Sequence, residues 1–265
     1  MLDTPMFMKP LGTADAGPAA RPSRPPAPAQ LLACLQLADS AFPSGFYTLS
    51  HGLEGYAQAH SVTTDQIPAL LADLLRHTVG PSDATALALA HAVVSQQAKP
   101  DPHSSMGSDP VEQLRIIDRK LFACKLNQGL RKAATRTGRQ LLDLSRDIFS
   151  HPVLHAYTEA VIAKTTPGCQ AVAAGVTYAA AGTDAEQAVL ADLFAFSSSF
   201  VQAALKLRLT DHRRAQMILY EAFPVLSEVA QEAVARPLDE LYSCSPLADV
   251  FSGQHENASA RLFAT

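Results

Sequence analysis

A serine and a histidine stand side by side at Ser50-His51, in the stretch "TLSHG" of residues 48–52, and this pair could do chemistry. The stretch is similar to the G-x-S-x-G elbow that presents the nucleophilic serine of many hydrolases, but Thr48 replaces the first glycine. Neighbouring side chains on a helix also point about 100° apart, which separates a nucleophile from its base. A helical serine hydrolase using Ser50 and His51 is therefore an alternative and not the preferred function.

The other residues suited to catalysis or metal binding are spread along the chain. The nine histidines stand singly, and the closest pair, His151 and His155, has no glutamate between its members. The four cysteines form no C-x-x-C motif, which argues against structural zinc and disulfides and favours the cytoplasm. Neither glycine-rich nucleotide motif, G-x-x-x-x-G-K-[ST] or G-x-G-x-x-G, is present. The sequence therefore predicts that the chain itself binds no metal and no cofactor.

Positive charge is concentrated in one segment, residues 115–139. This segment carries eight Lys or Arg and one Asp, a local charge of +7, whereas the whole chain has a charge of −4. A solvated helix face is the common explanation of such a run. A docking surface for an acidic partner protein is the more specific one, because opposite charges steer association. Nucleic acid is disfavoured, because aromatic residues are not interleaved with the charges and the rest of the chain would repel phosphate.

The elements that position these residues are predicted to be helices, about eight to ten in number, in one all-α domain. Residues 1–29 contain seven prolines and predict a disordered leader. The domain covers residues 30–242, and residues 243–265 form a polar tail that is expected to order on a partner. No run of about 18 uncharged apolar residues occurs, so no membrane span is expected.

Several boundaries follow from local signals. Capping boxes at Thr63-x-x-Gln66 and Thr183-x-x-Glu186 predict helix starts, and the second opens a long, buried, apolar helix. Gly80-Pro81 predicts a helix end. Residues 111–149 predict one long helix, interrupted near Gly129 or Gly138.

Four stretches, in the correct order, resemble the UreF family of urease accessory proteins. "LLACLQLADSAFPSGFYTLSHGLE" is similar to the opening of the family, "LRKAATRTGRQLLDL" to its basic helix, and "SSSFVQAALKL" to its long apolar helix. "SCSPLADVFSGQHENASARLFAT" is similar to its C-terminus. The chain departs from the family at Asp211-His212, where a Gly-Gln pair is usual.

The resemblance implies an all-α, non-enzymatic, dimeric protein. Such a protein binds a second accessory protein, UreD (also called UreH), which docks on apo-urease, and it recruits the GTPase UreG. The partner complex then handles nickel and GTP and inserts Ni²⁺ into urease. A stand-alone nickel-binding protein is a further alternative, but it requires clustered ligands that the sequence does not display.

The resemblance also assigns residues to partner contacts. Arg261, Leu262 and Phe263 are expected to engage UreD, and Lys206 is expected to face UreG. Arg131, together with Arg208 and Arg261, is a candidate for an arginine supplied to the GTPase. The full set of expected partner-binding residues is Phe46, Tyr47, His51, Glu54, Arg131, Lys206, Arg261, Leu262 and Phe263.

Overall fold

The computed structural model describes residues 27–97, 109–256, 258 and 260–263. Within these ranges the chain forms helices and turns and no strand, which confirms the all-α prediction. The α-helices are α1 Ala27–Ala38, α2 Leu53–Gln58, α3 Ile67–Leu74, α4 Thr85–Gln97, α5 Pro110–Cys124, α6 Gln128–Ile148, α7 Pro152–Ile162, α8 Gln170–Ala180, α9 Ala185–Lys206, α10 His212–Glu221, α11 Phe223–Ala235 and α12 Pro246–Glu256. A π-helix, Leu75–Ala84, joins α3 to α4, and 3₁₀ turns lie at Phe46–Thr48, Thr64–Gln66 and Leu238–Glu240.

The expected break in the long basic helix is confirmed near Gly129. It lies between α5 and α6 at residues 125–127, and Gly138 does not interrupt α6. The Asn127 side chain accepts a hydrogen bond from the Leu130 backbone N–H at 2.8 Å and so starts α6. Gly138 lies inside α6, and glycine is required there by close packing, because a Cβ would lie 2.2 Å from the Gly168 carbonyl oxygen.

The helix end predicted at Gly80-Pro81 is wrong, because α3 continues through the π-helix into α4. Proline removes one hydrogen bond from a regular helix and crowds the preceding turn, and the wider π turn relieves that conflict. Carbonyl groups released by the wide turn find donors elsewhere. The Pro81 oxygen accepts from the Tyr242 N–H at 3.2 Å, and the His77 oxygen accepts from the Cys244 N–H at 2.9 Å. The segment before α12 is thereby fixed to the π-helix.

The second capping prediction also differs from the structure. The first, at Thr63 and Gln66, is confirmed, with both side chains forming the reciprocal bonds. At the second site, Asp184 is the N-cap of α9, and its carboxylate accepts from the Glu186 N–H at 3.0 Å. Thr183 instead donates to the Tyr178 carbonyl at 2.8 Å, which closes the end of α8.

Helix α9 is the centre of the core, as its apolar sequence predicts. It contacts α1 to α4, α8, α10 and α11. Among the residues that the structure covers, α9 is the one helix long and apolar enough to cross a membrane, but 67% of that stretch is buried by the other helices. Beside it α4 and α8 pack closely, because a Cβ on Gly175 would lie 2.3 Å from the Leu87 carbonyl oxygen. The apolarity of α9 is therefore that of a core helix.

Both chain ends were expected to lie outside the folded domain. Of the predicted leader, residues 1–26 lie outside the described residues, and residues 27–29 begin α1. The loop predicted at 99–110 falls mostly on residues 98–108, which are also not described. The C-terminal tail, expected to order on a partner, forms α12 and an extended segment packed on α2 in the single chain.

Candidate partner-binding surface

The carboxylate of Glu54 holds the C-terminal segment on α2. Glu54 is 3% exposed, and its Oε2 atom accepts from the His255 ring at 2.8 Å and from the Phe263 N–H at 3.0 Å. Its Oε1 atom accepts from the Leu262 N–H at 2.7 Å. A buried carboxylate is stable only when its oxygens have donors, and here the tail supplies them. Glu54 is thus an internal anchor of the tail in this structure.

Four other predicted residues lie at the same junction. The Phe263 ring is buried, and the Lys206 ammonium at the end of α9 lies 5.4 Å from its centre, a cation–π distance. Leu262 is 74% exposed, and Arg261 beside it is exposed as well. Leu262 and Phe263, predicted separately from Glu54, therefore lie against it although 208 and 209 positions separate them in sequence.

Helix α12 joins this junction to two other helices. The Phe251 ring lies 4.6 Å from the Tyr56 ring, and a Cβ on Gly55 would lie 2.5 Å from the Phe251 carbonyl oxygen, so α12 crosses α2 almost in backbone contact. At its other end, the Glu256 carboxylate accepts from the Gly129 N–H in the first turn of α6. A negative charge at this position also suits the helix dipole. The tail thus bridges α2 and the start of the basic helix.

Phe46, Tyr47 and His51 face α9 and not the tail junction. The His51 ring lies 5.0 Å from Phe46 and 4.4 Å from Phe196, and its Nε2 atom is 2.9 Å from the Ser199 hydroxyl. The Tyr47 hydroxyl donates to the Ala38 carbonyl at 2.9 Å. All three of these predicted residues are partly buried, so each keeps an accessible edge.

The hydrolase alternative finds no support at Ser50. This residue has no exposed surface, so a substrate would not reach its hydroxyl. His51 and Gly52 both take left-handed backbone conformations, with φ of 54° and 86°, and this turns the ring of His51 to Ser199. Burial lowers the pKa of His51 to about 3, so the ring is neutral near pH 7.

A cavity of about 140 Å³ lies beneath this turn. Its charged lining includes the Lys125–Asp83 ion pair, with 2.6 Å between Nζ and Oδ2, and the buried carboxyl of Asp192. Asp192 accepts a hydrogen bond from the Gln170 amide at 2.9 Å. Burial raises the pKa of Asp192 to about 6, which outweighs the lowering by that hydrogen bond. Across the described ranges, no group of three or more His, Cys, Asp or Glu side chains is arranged to hold a metal ion.

Replacing Asp192 by asparagine is expected to stabilise the protein near neutral pH. The folded pKa of about 6 exceeds the unfolded value, so the contribution of this carboxyl to stability is complete below about pH 4 and is lost as the pH rises through 6. Asparagine keeps the acceptor for Gln170 and removes the charge. We expect the free energy of unfolding to rise by about 1–3 kcal/mol at pH 7.5 and to change little at pH 4.

Urea unfolding followed by circular dichroism at the two pH values measures this effect. The matched control is Asp147→Asn, because Asp147 is exposed at the end of α6. An equal gain at both pH values would contradict the assigned cause.

Arg131 lies on a third face, at the start of α6. Its Nε–H donates to the Lys125 carbonyl at 2.7 Å, and its guanidinium lies 5.1 Å from the centre of the Phe122 ring. It is separate from the Glu54 junction, although Glu256 contacts the same helix turn at Gly129. The predicted residues therefore form three groups: the tail junction, the turn against α9, and the basic helix.

Several residues that shape these surfaces escaped sequence reasoning. His255, Glu256 and Phe251 lie in a polar stretch that has the composition of a frayed tail. The "HE" pair at 255–256 was present in the C-terminal resemblance, and it was the available signal that these residues have a fixed role. Nothing in the composition indicates that the partners of His255 and Glu256 are on α2 and α6.

Comparison with known proteins places the chain among relatives of one kind. The sequence model of the UreF family matches residues 62–223. The urease accessory protein UreF of Trichodesmium erythraeum is 31% identical over 236 residues, which cover 88% of this chain and 96% of that protein. UreF 2 of Brucella canis is 28% identical over 88% of this chain and 91% of its own length, and UreF of a Bacillus species is 29% identical over 88% and 98%.

Proposed function

Because the chain belongs to the UreF family of urease accessory proteins, we propose that it is a non-catalytic scaffold for urease maturation. In this proposal it binds UreD (UreH), which docks on apo-urease, and it recruits the GTPase UreG. A scaffold that holds two proteins side by side raises the effective concentration of one for the other, so it needs no catalytic site of its own.

The tail junction is the observation that carries the proposal. Glu54 fixes the backbone of Leu262 and Phe263, and this leaves the Leu262 side chain 74% exposed on an ordered segment. Because the backbone of this segment is already ordered, a partner that covers the exposed Leu262 side chain pays little further conformational entropy. We assign Leu262 and Arg261 to the surface that UreD covers, and Lys206 to its border toward UreG.

Nickel and GTP belong to the partner complex in this proposal. The sequence carries no phosphate-binding loop, so the GTP chemistry is assigned to UreG. In this proposal an arginine of this chain assists hydrolysis, and the candidates Arg131, Arg208 and Arg261 are all exposed or partly exposed.

The proposal includes a homodimer, and we assign it to an aromatic cluster on α9, α10 and α11. The Phe223 ring lies 6.4 Å from Phe194 and 5.3 Å from Tyr220, and Tyr220 is 72% exposed. The Arg214–Glu221 ion pair on α10, at 2.9 Å, places both signs of charge beside the rings. A patch that offers apolar area and both charges can pair with a copy of itself across a two-fold axis.

Deleting residues 258–265 is expected to abolish co-purification with UreD and leave the helical circular dichroism spectrum intact. Substituting Leu262→Asp is expected to weaken co-purification at least about tenfold, the loss typical of a central apolar contact. The matched control is Val234→Asp, which alters an exposed apolar residue of α11 at 45% exposure. Undiminished recovery of UreD with the deletion would contradict the assignment of the tail.

A further inference from the structure

A surface groove runs along α6 on the side of α7. Two concavities form it, and they share Lys132, Thr135 and Arg139. One end is bounded by the end of α5 and the loop after α7, with Arg119 and Lys164 in the lining. The other end continues past Arg139 toward Asp143 and the side of α7. We call this continuous depression the basic groove.

Six cations line the basic groove without an acidic partner. Two other cations of residues 115–139 are already paired with carboxylates: Arg115 pairs with Glu112 at 3.1 Å, and Lys125 pairs with Asp83 at 2.6 Å. Asp143, at the far end, pairs with Arg146 at 3.2 Å. Throughout the part of the chain that the structure covers, no carboxylate lies within ion-pair distance of the six, which are Arg119, Arg131, Lys132, Arg136, Arg139 and Lys164.

Neutral groups hold three of the guanidinium groups in place. The Arg119 Nη2 donates to the Thr165 carbonyl at 3.1 Å, and the Arg136 Nη2 donates to the Thr48 hydroxyl at 3.0 Å. Arg131 is fixed by its bond to the Lys125 carbonyl. Each of these bonds uses one of five guanidinium donors and leaves the charge uncompensated, so the groups are pre-positioned for an anion.

The wall of the groove formed by residues 164–168 is rigidly supported from below. The buried carboxylate of Asp118 accepts from the Thr166 hydroxyl at 2.6 Å and from the Gly168 N–H at 2.6 Å. Gly138 allows the same loop to touch the backbone of α6. Because the wall is fixed before any ligand arrives, binding would cost little ordering of the protein.

We propose that the basic groove binds an extended, acidic segment of a partner polypeptide. Arg131 and Arg139 lie eight residues apart on α6, about 12 Å along its axis, and Arg119 and Lys164 extend the charged floor beyond them. An extended chain advances about 3.3 Å per residue, so roughly four to six residues of Asp or Glu span this distance. Their carboxylates can form bidentate bonds with the arginine forks.

Charge complementarity favours a polypeptide over nucleic acid. Phe122 is the one aromatic residue in the lining, and the guanidinium of Arg131 covers its ring. The groove therefore offers no uncovered aromatic ring on which the bases of a single-stranded nucleic acid could stack. Outside residues 115–139 the chain is acidic, which disfavours a long phosphate backbone passing over it. The proposal concerns a face separate from the tail junction, so loss of one interaction leaves the other testable.

Fluorescence anisotropy of a fluorescein-labelled hexaglutamate peptide with the full-length protein tests the proposal. We expect saturable binding in low salt, about 50 mM, that weakens strongly at about 300 mM because the contacts are ionic. The double variant Lys132→Glu/Arg139→Glu is expected to weaken binding at least tenfold. The charge-matched control Arg76→Glu/Arg213→Glu, on the exposed surface of the π-helix and α10, is expected to bind as the unmodified protein does.

Three outcomes would overturn the proposal. These are no binding of hexaglutamate in low salt, an equal loss in both double variants, and tighter binding of a labelled six-nucleotide uridine RNA than of the peptide. The second outcome would indicate attraction by net charge alone, and the third would assign the groove to nucleic acid. None of them bears on whether residues 258–265 bind UreD.

Discussion

Substituting Asp118→Ala is expected to lower the free energy of unfolding by about 3–5 kcal/mol. Asp118 has no exposed surface, and its Oδ2 atom accepts from the Tyr157 hydroxyl at 3.0 Å, the Thr166 hydroxyl at 2.6 Å and the Gly168 N–H at 2.6 Å. Its Oδ1 atom accepts from the Cys169 N–H at 2.9 Å. Alanine leaves all four donors buried without a partner, and each loses the water it would have bound in the unfolded chain.

Urea unfolding at neutral pH measures this loss, with Asp147→Ala on the exposed end of α6 as the control. For Asp118→Asn, the loss in free energy of unfolding is expected to lie between those of Asp118→Ala and Asp147→Ala. The amide keeps one acceptor oxygen, but its N–H₂ group faces groups that are themselves donors. A loss below about 1 kcal/mol in the alanine variant would show that the loop after α7 finds other acceptors.

Substituting Glu54→Ala is expected to release the C-terminal segment while the helical core stays folded. The change removes the acceptor of the His255 ring and of the Leu262 and Phe263 N–H groups. Restoring these groups to water is easiest if the segment detaches, so the defect should be local. Hydrogen exchange of the Leu262 and Phe263 amides is expected to accelerate about 100-fold or more, equivalent to about 3 kcal/mol of local stability.

Glu54→Gln is the graded companion variant, since it retains one acceptor oxygen. Glu186→Ala is the matched control, because Glu186 is an exposed glutamate in the first turn of α9 and has no contact with the C-terminal segment. Unchanged protection of both amides in Glu54→Ala would mean that Phe263 and α12 hold the segment without the carboxylate. Loss of protection throughout α9 would mean that the defect is global.

The helical class and the central helix were predictable from the sequence because both depend on local signals. The Ala- and Leu-rich periodicity and the capping pair at Thr63 and Gln66 depend only on residues a few positions apart. The break at Gly80-Pro81 was predicted wrongly because its outcome depends on distant residues. Tyr242 and Cys244 supply donors to the π-helix, and no local pattern announces them.

The same contrast explains the candidate surfaces. Glu54 and Phe263 were each predicted as partner-binding residues, but the direct bond between them spans 209 positions and has no periodic signature. The basic groove was visible only in part, as charge on residues 115–139. Lys164, from the loop after α7, joins it through a close approach at Gly138 that only the packed structure defines.

The bonds that Glu54 makes with His255 and Phe263 can form only late in the synthesis of the chain. At a synthesis rate of about 5–20 residues per second, the 209 residues between Glu54 and Phe263 take roughly 10–40 seconds to make. During that interval the Glu54 carboxylate and the packing surface at Gly55, both on α2, are exposed because the residues that cover them have not yet been made. The newborn chain therefore completes its tail junction only after residue 263 has been made, and a product that stops short of residue 255 never forms it.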